Sequence, residues 1–172
     1  MAKRTIIKLP DPVLRIRSEP IETVDDDVRR LIDDMLETMY AAPGVGLAAV
    51  QIGVPRRLLV VDASPKDDEP QPIALINPRI VKSGNEMRLH EEGCLSIPDV
   101  RVPIERPATV TIEYVDRDGK PQTMEAEGLL ATAVQHELDH LDGRLIIDYL
   151  SRLKRDFIVR RFRKQARSEA EA

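Results

Sequence analysis

The sequence lacks features that would point to a secreted, membrane-spanning or nucleic-acid-binding protein. A single cysteine, Cys94, among 172 residues excludes an internal disulfide. No apolar run approaches the roughly 20 residues that a membrane-spanning helix needs. The net charge of −4 argues against general binding of DNA or other nucleic acid. The first residues show neither a signal-peptide core nor an Arg- and Ser-rich transit peptide, so we expect a cytoplasmic protein.

The composition that is present, 42% hydrophobic and 33% charged, is typical of a soluble globular protein. A chain of this length forms one domain, which we expect to cover residues 1–172. Its charge is unevenly distributed: residues 152–167 hold eight lysines and arginines against the single acid Asp156. The small, charged residues 168–172 are expected to form a frayed tail.

Hydrophobic periodicity predicts helices near both ends and strands between them. The expected helices cover residues 25–42, 127–141 and 153–167. The expected strands cover residues 57–62, 73–76, 79–82 and 87–90, followed by a hairpin of residues 109–115 and 122–125. Strands grouped in the middle with helices at both ends indicate an α+β domain.

The strongest chemical signal is the run HELDH at residues 136–140. In a helix, His136 and His140 lie one turn apart on the same face and can reach one metal ion, with Glu137 placed to address a water on it. Two surface histidines beside a solvated glutamate are the alternative. The usual peptidase completions are missing, because Ile146 stands where a third histidine would be and no glutamate follows before Glu169.

The remaining soft metal ligand in the chain is Cys94. It could be an inert core thiol, but without another candidate we favour thiolate ligation. This would give a Cys-His-His site with water in the fourth position.

Three segments together resemble the peptide deformylase family, in its bacterial type with a basic C-terminal helix. They are GVGLAAVQ at residues 44–51, EGCLS at residues 92–96 and QHELDH at residues 135–140. The resemblance implies an α+β fold with small antiparallel or mixed sheets around the central helix that carries the histidines. It also implies hydrolysis of the formyl group from the N-terminal formylmethionine of new polypeptides.

The resemblance further implies a role for each matching residue. Cys94, His136 and His140 are the expected ligands of one divalent ion, Fe²⁺ in the cell, with Zn²⁺, Ni²⁺ or Co²⁺ possible in purified protein. Glu137 is expected to act as general base and then acid, and the Gln51 amide and Leu95 N–H as oxyanion donors. Gln135 and Asp139 are expected to hold the helix and the imidazoles.

Substrate contacts are implied in the same way. The expected substrate-binding residues are Gly44, Val45, Gly46, Arg101, Leu129 and Ala133. Gly44 and Gly46 would let a peptide pair closely with the backbone, while apolar side chains would line a methionine pocket. His90 departs from the family pattern, which often has an aliphatic residue on the pocket rim.

The expected partners are formylated nascent peptides and, through the basic residues 151–167, the ribosome surface. A monomer is expected, with no DNA or membrane partner. Two rival functions follow from the same residues: a metallopeptidase that cuts internal amides, and a non-catalytic binding module with this fold.

Overall fold

The structure, a computed structural model, describes residues 2–171 and confirms the predicted α+β class. Its elements are α1 (Asp26–Ala41), β1 (Gly46–Ala48), β2 (Leu58–Val61), β3 (Ile73–Ser83), β4 (Met87–Cys94), β5 (Ile97–Pro107), β6 (Thr109–Val115), β7 (Pro121–Glu127), α2 (Gly128–Leu141) and α3 (Arg152–Glu171). Short 3-10 turns cover Pro12–Arg15, Ala49–Ile52 and Ile146–Tyr149.

A five-stranded antiparallel sheet in the order β1-β2-β3-β6-β7 forms the centre of the fold. All four residues of β2 are buried. Leu59 and Val61 pack in the cluster that contains α2, while Leu58 and Val60 pack in the cluster that contains α1. Successive side chains of a strand point to opposite faces, so β2 is covered by a helix on each side. This explains its unbroken apolar sequence.

Helix α1 lies within one residue of its predicted bounds because both ends carry clear signals. The Asp25 side chain accepts a hydrogen bond from the Val28 N–H at 3.0 Å and caps the first turn. Asp26 and Asp27 suit the positive end of the helix dipole. The helix ends at Ala41, just before Pro43-Gly44.

Strands β3 and β5 differ from the prediction. The two short strands expected at 73–76 and 79–82 form one strand, β3, whose register shifts at Asn77, where φ is 51°. The prediction missed β5 because it contains Pro98, Pro103 and Pro107. Within residues 2–171, strand β5 pairs only with β4, in a separate two-stranded antiparallel sheet. Such edge strands accommodate proline.

Helix α2 follows β7 without a loop. Gly128 makes this turn possible, since its φ of 58° is a conformation that favours glycine. The apolar side chains of α2 pack against the central sheet in one buried cluster. The histidine-bearing helix therefore lies at the centre of the domain, as predicted.

Helix α3 begins at Arg152 and continues to Glu171, beyond its predicted end at residue 167. Ala172 lies outside the described residues, and fraying of residues 168–172 stays a prediction. Alanine and glutamate are strong helix formers, which accounts for the longer helix. The helix packs through Ile158, Val159 and Phe162 against a third cluster that includes residues of β5. Among residues 2–171, no helix has both the length and the apolar character needed to cross a membrane.

Candidate metal centre

Two elements bring three potential metal ligands together. Cys94 ends β4, while His136 and His140 lie one turn apart on α2. One ligand atom from each residue lies within 4.8 Å of those of the other two, and the Cys94 Sγ is 3.3 Å from the His140 Nε2. A thiolate with two imidazoles suits Zn²⁺ and other transition metals. The residues present therefore fit the predicted ion.

Burial shifts the pKa of one residue of this cluster, His140, and of its neighbour Glu137. It lowers the pKa of His140 well below its ordinary value, which favours the neutral imidazole that a metal requires. It also raises the pKa of Glu137 to about 7. The Glu137 carboxyl is nearly inaccessible to solvent and lies 3.9 Å from the His136 Nε2.

Glycines leave room for the residues of the site. A Cβ added at Gly46 would lie 2.9 Å from the Glu137 Cγ, and one at Gly44 would lie 2.8 Å from the Leu95 Cδ1. The space that a side chain at Gly46 would occupy is thus already filled by Glu137. This close approach is a reason for glycine that the sequence did not reveal.

Gln51 is held in a fixed orientation beside Cys94. Its Oε1 accepts a hydrogen bond from the Ala48 N–H at 2.9 Å, so its amide nitrogen points the other way. That nitrogen donates to the Ser96 Oγ at 3.0 Å and lies 3.7 Å from the Cys94 Sγ. The Leu95 N–H follows Cys94 directly in the chain. Both predicted oxyanion donors therefore lie next to Cys94.

A cleft of about 720 Å³ opens onto these residues. All six predicted substrate-binding residues line it, together with His90 and both residues expected to stabilise the oxyanion. Arg101 lies against Gly93, where an added Cβ would be 3.3 Å from the arginine Cζ. Residues 3–6 and Lys8 also line the cleft, which the sequence did not suggest.

The sequence did not reveal the hydrogen-bond partner of His136. Its Nδ1 lies 2.9 Å from the Glu92 Oε1, and Glu92 is bonded in turn to the buried Arg106. Burial alone would raise the pKa of Glu92, but the hydrogen bonds from His136 and Arg106 outweigh it and hold that pKa below its ordinary value. The strand pattern could have indicated that this arginine is buried. Val102, Ile104 and Arg106 are alternate residues of β5, so their side chains point to the same, interior face.

The two residues expected to hold the helix and the imidazoles make different contacts. The Gln135 amide donates to the Pro107 and Ala131 carbonyls at 3.0 Å, so it joins α2 to β5 and does not bond to an imidazole. Asp139 accepts from Arg106 at 2.9 Å and from the Tyr149 hydroxyl at 2.7 Å. Its connection to the His136 imidazole runs through Arg106 and Glu92.

Comparison with known proteins gives one consistent result. A family model described as polypeptide deformylase matches residues 3–156. The chain is 61% identical to a peptide deformylase of Rhizobium meliloti, covering 98% of this chain and 97% of that protein. It is 52% identical to one of Brucella suis, covering 99% and 97%.

Solved structures give the same answer. The crystal structure of peptide deformylase from Ehrlichia chaffeensis in complex with actinonin matches with a TM-score of 0.90 at 42% identity, covering 96% of this chain and 98% of that one. A peptide deformylase from Legionella pneumophila matches with a TM-score of 0.88 at 46% identity, covering 99% of both chains.

Proposed function

The chain belongs to the polypeptide deformylase family and removes the formyl group from the N-terminal formylmethionine of newly made polypeptides, and on that premise we propose which of its residues carry out the reaction. The main support is the meeting of Cys94, His136 and His140 beside the buried carboxyl of Glu137. Neither rival function, a metallopeptidase or a binding module, is favoured by any contact in the site.

Cys94, His136 and His140 would hold one divalent ion. Fe²⁺ is the ion expected in the cell, with Zn²⁺, Ni²⁺ or Co²⁺ in purified protein, because availability as well as affinity decides which metal is bound. When bound, the ion supplies a Lewis acid that polarises the formyl oxygen and makes hydroxide available near neutral pH.

Glu137 moves the protons. One of its carboxylate oxygens takes a proton from the attacking water and later delivers it to the methionine nitrogen as the amine leaves. A pKa of about 7, caused by burial, suits both directions of transfer at neutral pH. Its side chain packs closely against Gly46 and lines the cleft.

Gln51 and the backbone N–H of Leu95 stabilise the oxyanion. The Gln51 amide is oriented before substrate arrives, because Ala48 and Ser96 fix its two ends. Donors fixed in this way need no reorganisation during the reaction, and losing one typically costs about 10²–10³ in rate.

Substrate binds along the cleft. Strand β1 is an edge strand of the central sheet and, among the described residues, pairs only with β2. A peptide can therefore pair with its other edge, near Gly44 and Gly46. Val45, Leu129 and Ala133 provide apolar surface for the methionine side chain. Arg101, which also lines the cleft, would contact the peptide beyond methionine.

A comparison of the rates at which formyl-methionyl and acetyl-methionyl peptides are converted to the free N-terminal amine tests this arrangement. We expect strong preference for the formyl peptide, and loss of about 10²–10³ in rate for Gln51→Ala. Gln122→Ala, at an exposed position on β7, is the matched control and should behave as the unaltered protein. Equal rates for Gln51→Ala and Gln122→Ala would remove Gln51 from the mechanism.

Helix α3 is proposed to bind the ribosome surface, where the nascent substrates emerge in the cytoplasm. Its lysines and arginines, apart from the half-buried Arg155, are exposed, and clustered cations favour phosphate. DNA and membranes are not expected partners, and the enzyme is expected to act as a monomer.

Removal of α3 would expose the surface beneath Phe162, so charge reversal is the cleaner test of ribosome binding. Arg163→Glu with Lys164→Glu should weaken salt-sensitive co-sedimentation with ribosomes. Lys66→Glu with Lys82→Glu, at exposed positions outside α3, is the control with the same change of charge. Equal co-sedimentation of the two variants would contradict the proposal.

A further inference from the structure

A network of hydrogen-bonded groups adjoins the metal centre, with Arg106 and Glu92 buried, Asp139 half-buried and Tyr149 exposed. Arg106 is at the centre of this network. The Arg106 Nε and Nη2 donate to the two oxygens of Glu92 at 2.7 and 3.0 Å. Its remaining nitrogen, Nη1, donates to Asp139 at 2.9 Å and to the Tyr149 hydroxyl at 3.2 Å. Every nitrogen of the Arg106 guanidinium therefore donates a hydrogen bond. The partner residues lie in parts of the chain that are distant in sequence.

One oxygen joins this network to the histidine. The Glu92 Oε1 accepts from Arg106 and also lies 2.9 Å from the His136 Nδ1. A hydrogen bond from Nδ1 to that oxygen places the proton on Nδ1 and leaves Nε2 free to bind a metal. The orientation of the His136 ring therefore depends on the position in which Arg106 holds the Glu92 carboxylate.

The second arm of the network acts on the helix. Asp139 lies on α2 between His136 and His140, and it accepts from both Arg106 and Tyr149. The Arg106 guanidinium also lies 5.1 Å from the centre of the Tyr149 ring. Arg106 thus fixes the turn of α2 that separates the two histidines.

We infer that Arg106 is a positioning residue for the metal centre, orienting His136 through Glu92 and the histidine-bearing turn of α2 through Asp139. The inference rests on the proposed ligand set. Only arginine provides the planar fork that bonds both Glu92 oxygens while a third nitrogen reaches Asp139. Lysine keeps the charge but offers a single nitrogen, so it cannot hold both carboxylates in these positions.

A purely structural ion pair would affect stability alone, whereas a positioning residue must also affect the bound metal. The two readouts are the rate at which Co²⁺-loaded protein releases its metal to a chelator and the visible absorption of the bound Co²⁺. The variants are Arg106→Lys and, as a matched control, Arg88→Lys. Arg88 also reaches from the β4–β5 sheet to α2, where it donates to the Thr132 Oγ1 at 2.7 Å. Within residues 2–171, it makes no hydrogen bond to a proposed ligand or to Glu92.

We expect Arg106→Lys to release Co²⁺ about 10–100-fold faster than the unaltered protein and to change its absorption, while Arg88→Lys leaves both unchanged. Native release and a native spectrum for Arg106→Lys would overturn the inference. If Arg106→Lys does not fold, Tyr149→Phe decides, since it removes one hydroxyl from Asp139 and leaves every charge. Faster release from it supports the inference, and native release overturns it.

The same measurements separate this inference from the proposed function. If the unaltered protein binds no Co²⁺, the ligand set and the inference fall together. If it binds Co²⁺ and Arg106→Lys matches it in both readouts, the inference alone falls.

Discussion

Helices α2 and α3 are held in the molecule in opposite ways. Most side chains of α2 from Ala131 onwards are buried, including Gln135, Glu137 and His140. In α3, the one buried residue among 152–171 is Phe162. The first helix takes its properties from the contacts around it, while the second presents its charges to solvent. The comparison indicates that chemistry and the proposed docking are carried by different parts of the chain.

The electrostatics of the two helices differ in the same way. Around α2, buried groups bond to one another and burial shifts the pKa of Glu137 to about 7. On α3, Arg152 and Asp156 lie 3.9 Å apart with side chains 88% and 51% exposed, so their pairing contributes little to stability. Changes near α2 should therefore alter turnover, and changes in α3 should leave it intact.

The largest effect on turnover is expected for Glu137→Gln. Glutamine keeps the shape of the side chain but cannot take up the proton, so formate release should fall by about 10²–10⁴. Metal content, measured on the same sample, should remain at the level of the unaltered protein. Near-normal turnover in the metal-loaded variant would show that the base lies elsewhere.

A smaller loss is expected for Gly46→Ala. The added Cβ would lie 2.9 Å from the Glu137 Cγ and displace its carboxyl, which should reduce kcat on the order of 10–100-fold. In a Glu137→Gln background the same substitution should cost little, because there is no base left to displace. Additive losses in this double-mutant cycle would show that Gly46 acts independently of Glu137.

Phe162→Ala should separate stability from chemistry. This substitution leaves a cavity beneath α3 and should lower the free energy of unfolding by about 3–5 kcal/mol. At temperatures where the variant is folded, kcat for a short formyl-methionyl peptide should match that of the unaltered protein. Denaturant unfolding and formate release measure the two quantities, and a proportional loss in kcat would contradict the separation of the two helices.

The parts of the fold that sequence predicted are those with local signals. Helix α1 has an aspartate cap and a Pro-Gly end, and β6 matches its predicted bounds because its apolar residues alternate. Strand β5 was missed because its prolines suggest a loop, and only its pairing with β4 makes it a strand. The predicted end of α3 was too early, because the small, charged residues after 167 were taken as a tail outside the helix.

In the site, too, the residues with local signals were predicted and those that depend on distant contacts were not. Cys94, His136, Glu137 and His140 were predicted from spacing and from motifs, and the structure brings the first, second and fourth of them within 4.8 Å of one another. Their supporting contacts were not predicted, because Glu92 and Arg106 meet only through the β4–β5 pairing, in which Arg106 lies opposite Arg88 and Glu92 opposite Val102. A buried arginine is unusual unless it is paired, and its partner on another element cannot be read from neighbouring residues.

The most direct test of the metal centre is the metal content of Cys94→Ala, purified without oxygen and compared with the unaltered protein. The cysteine Sγ is 3.3 Å from the His140 Nε2, so we expect the unaltered protein to hold one ion per chain and the variant to lose most of it while remaining folded. Full metal occupancy in Cys94→Ala would contradict the assignment of the thiolate as the third ligand.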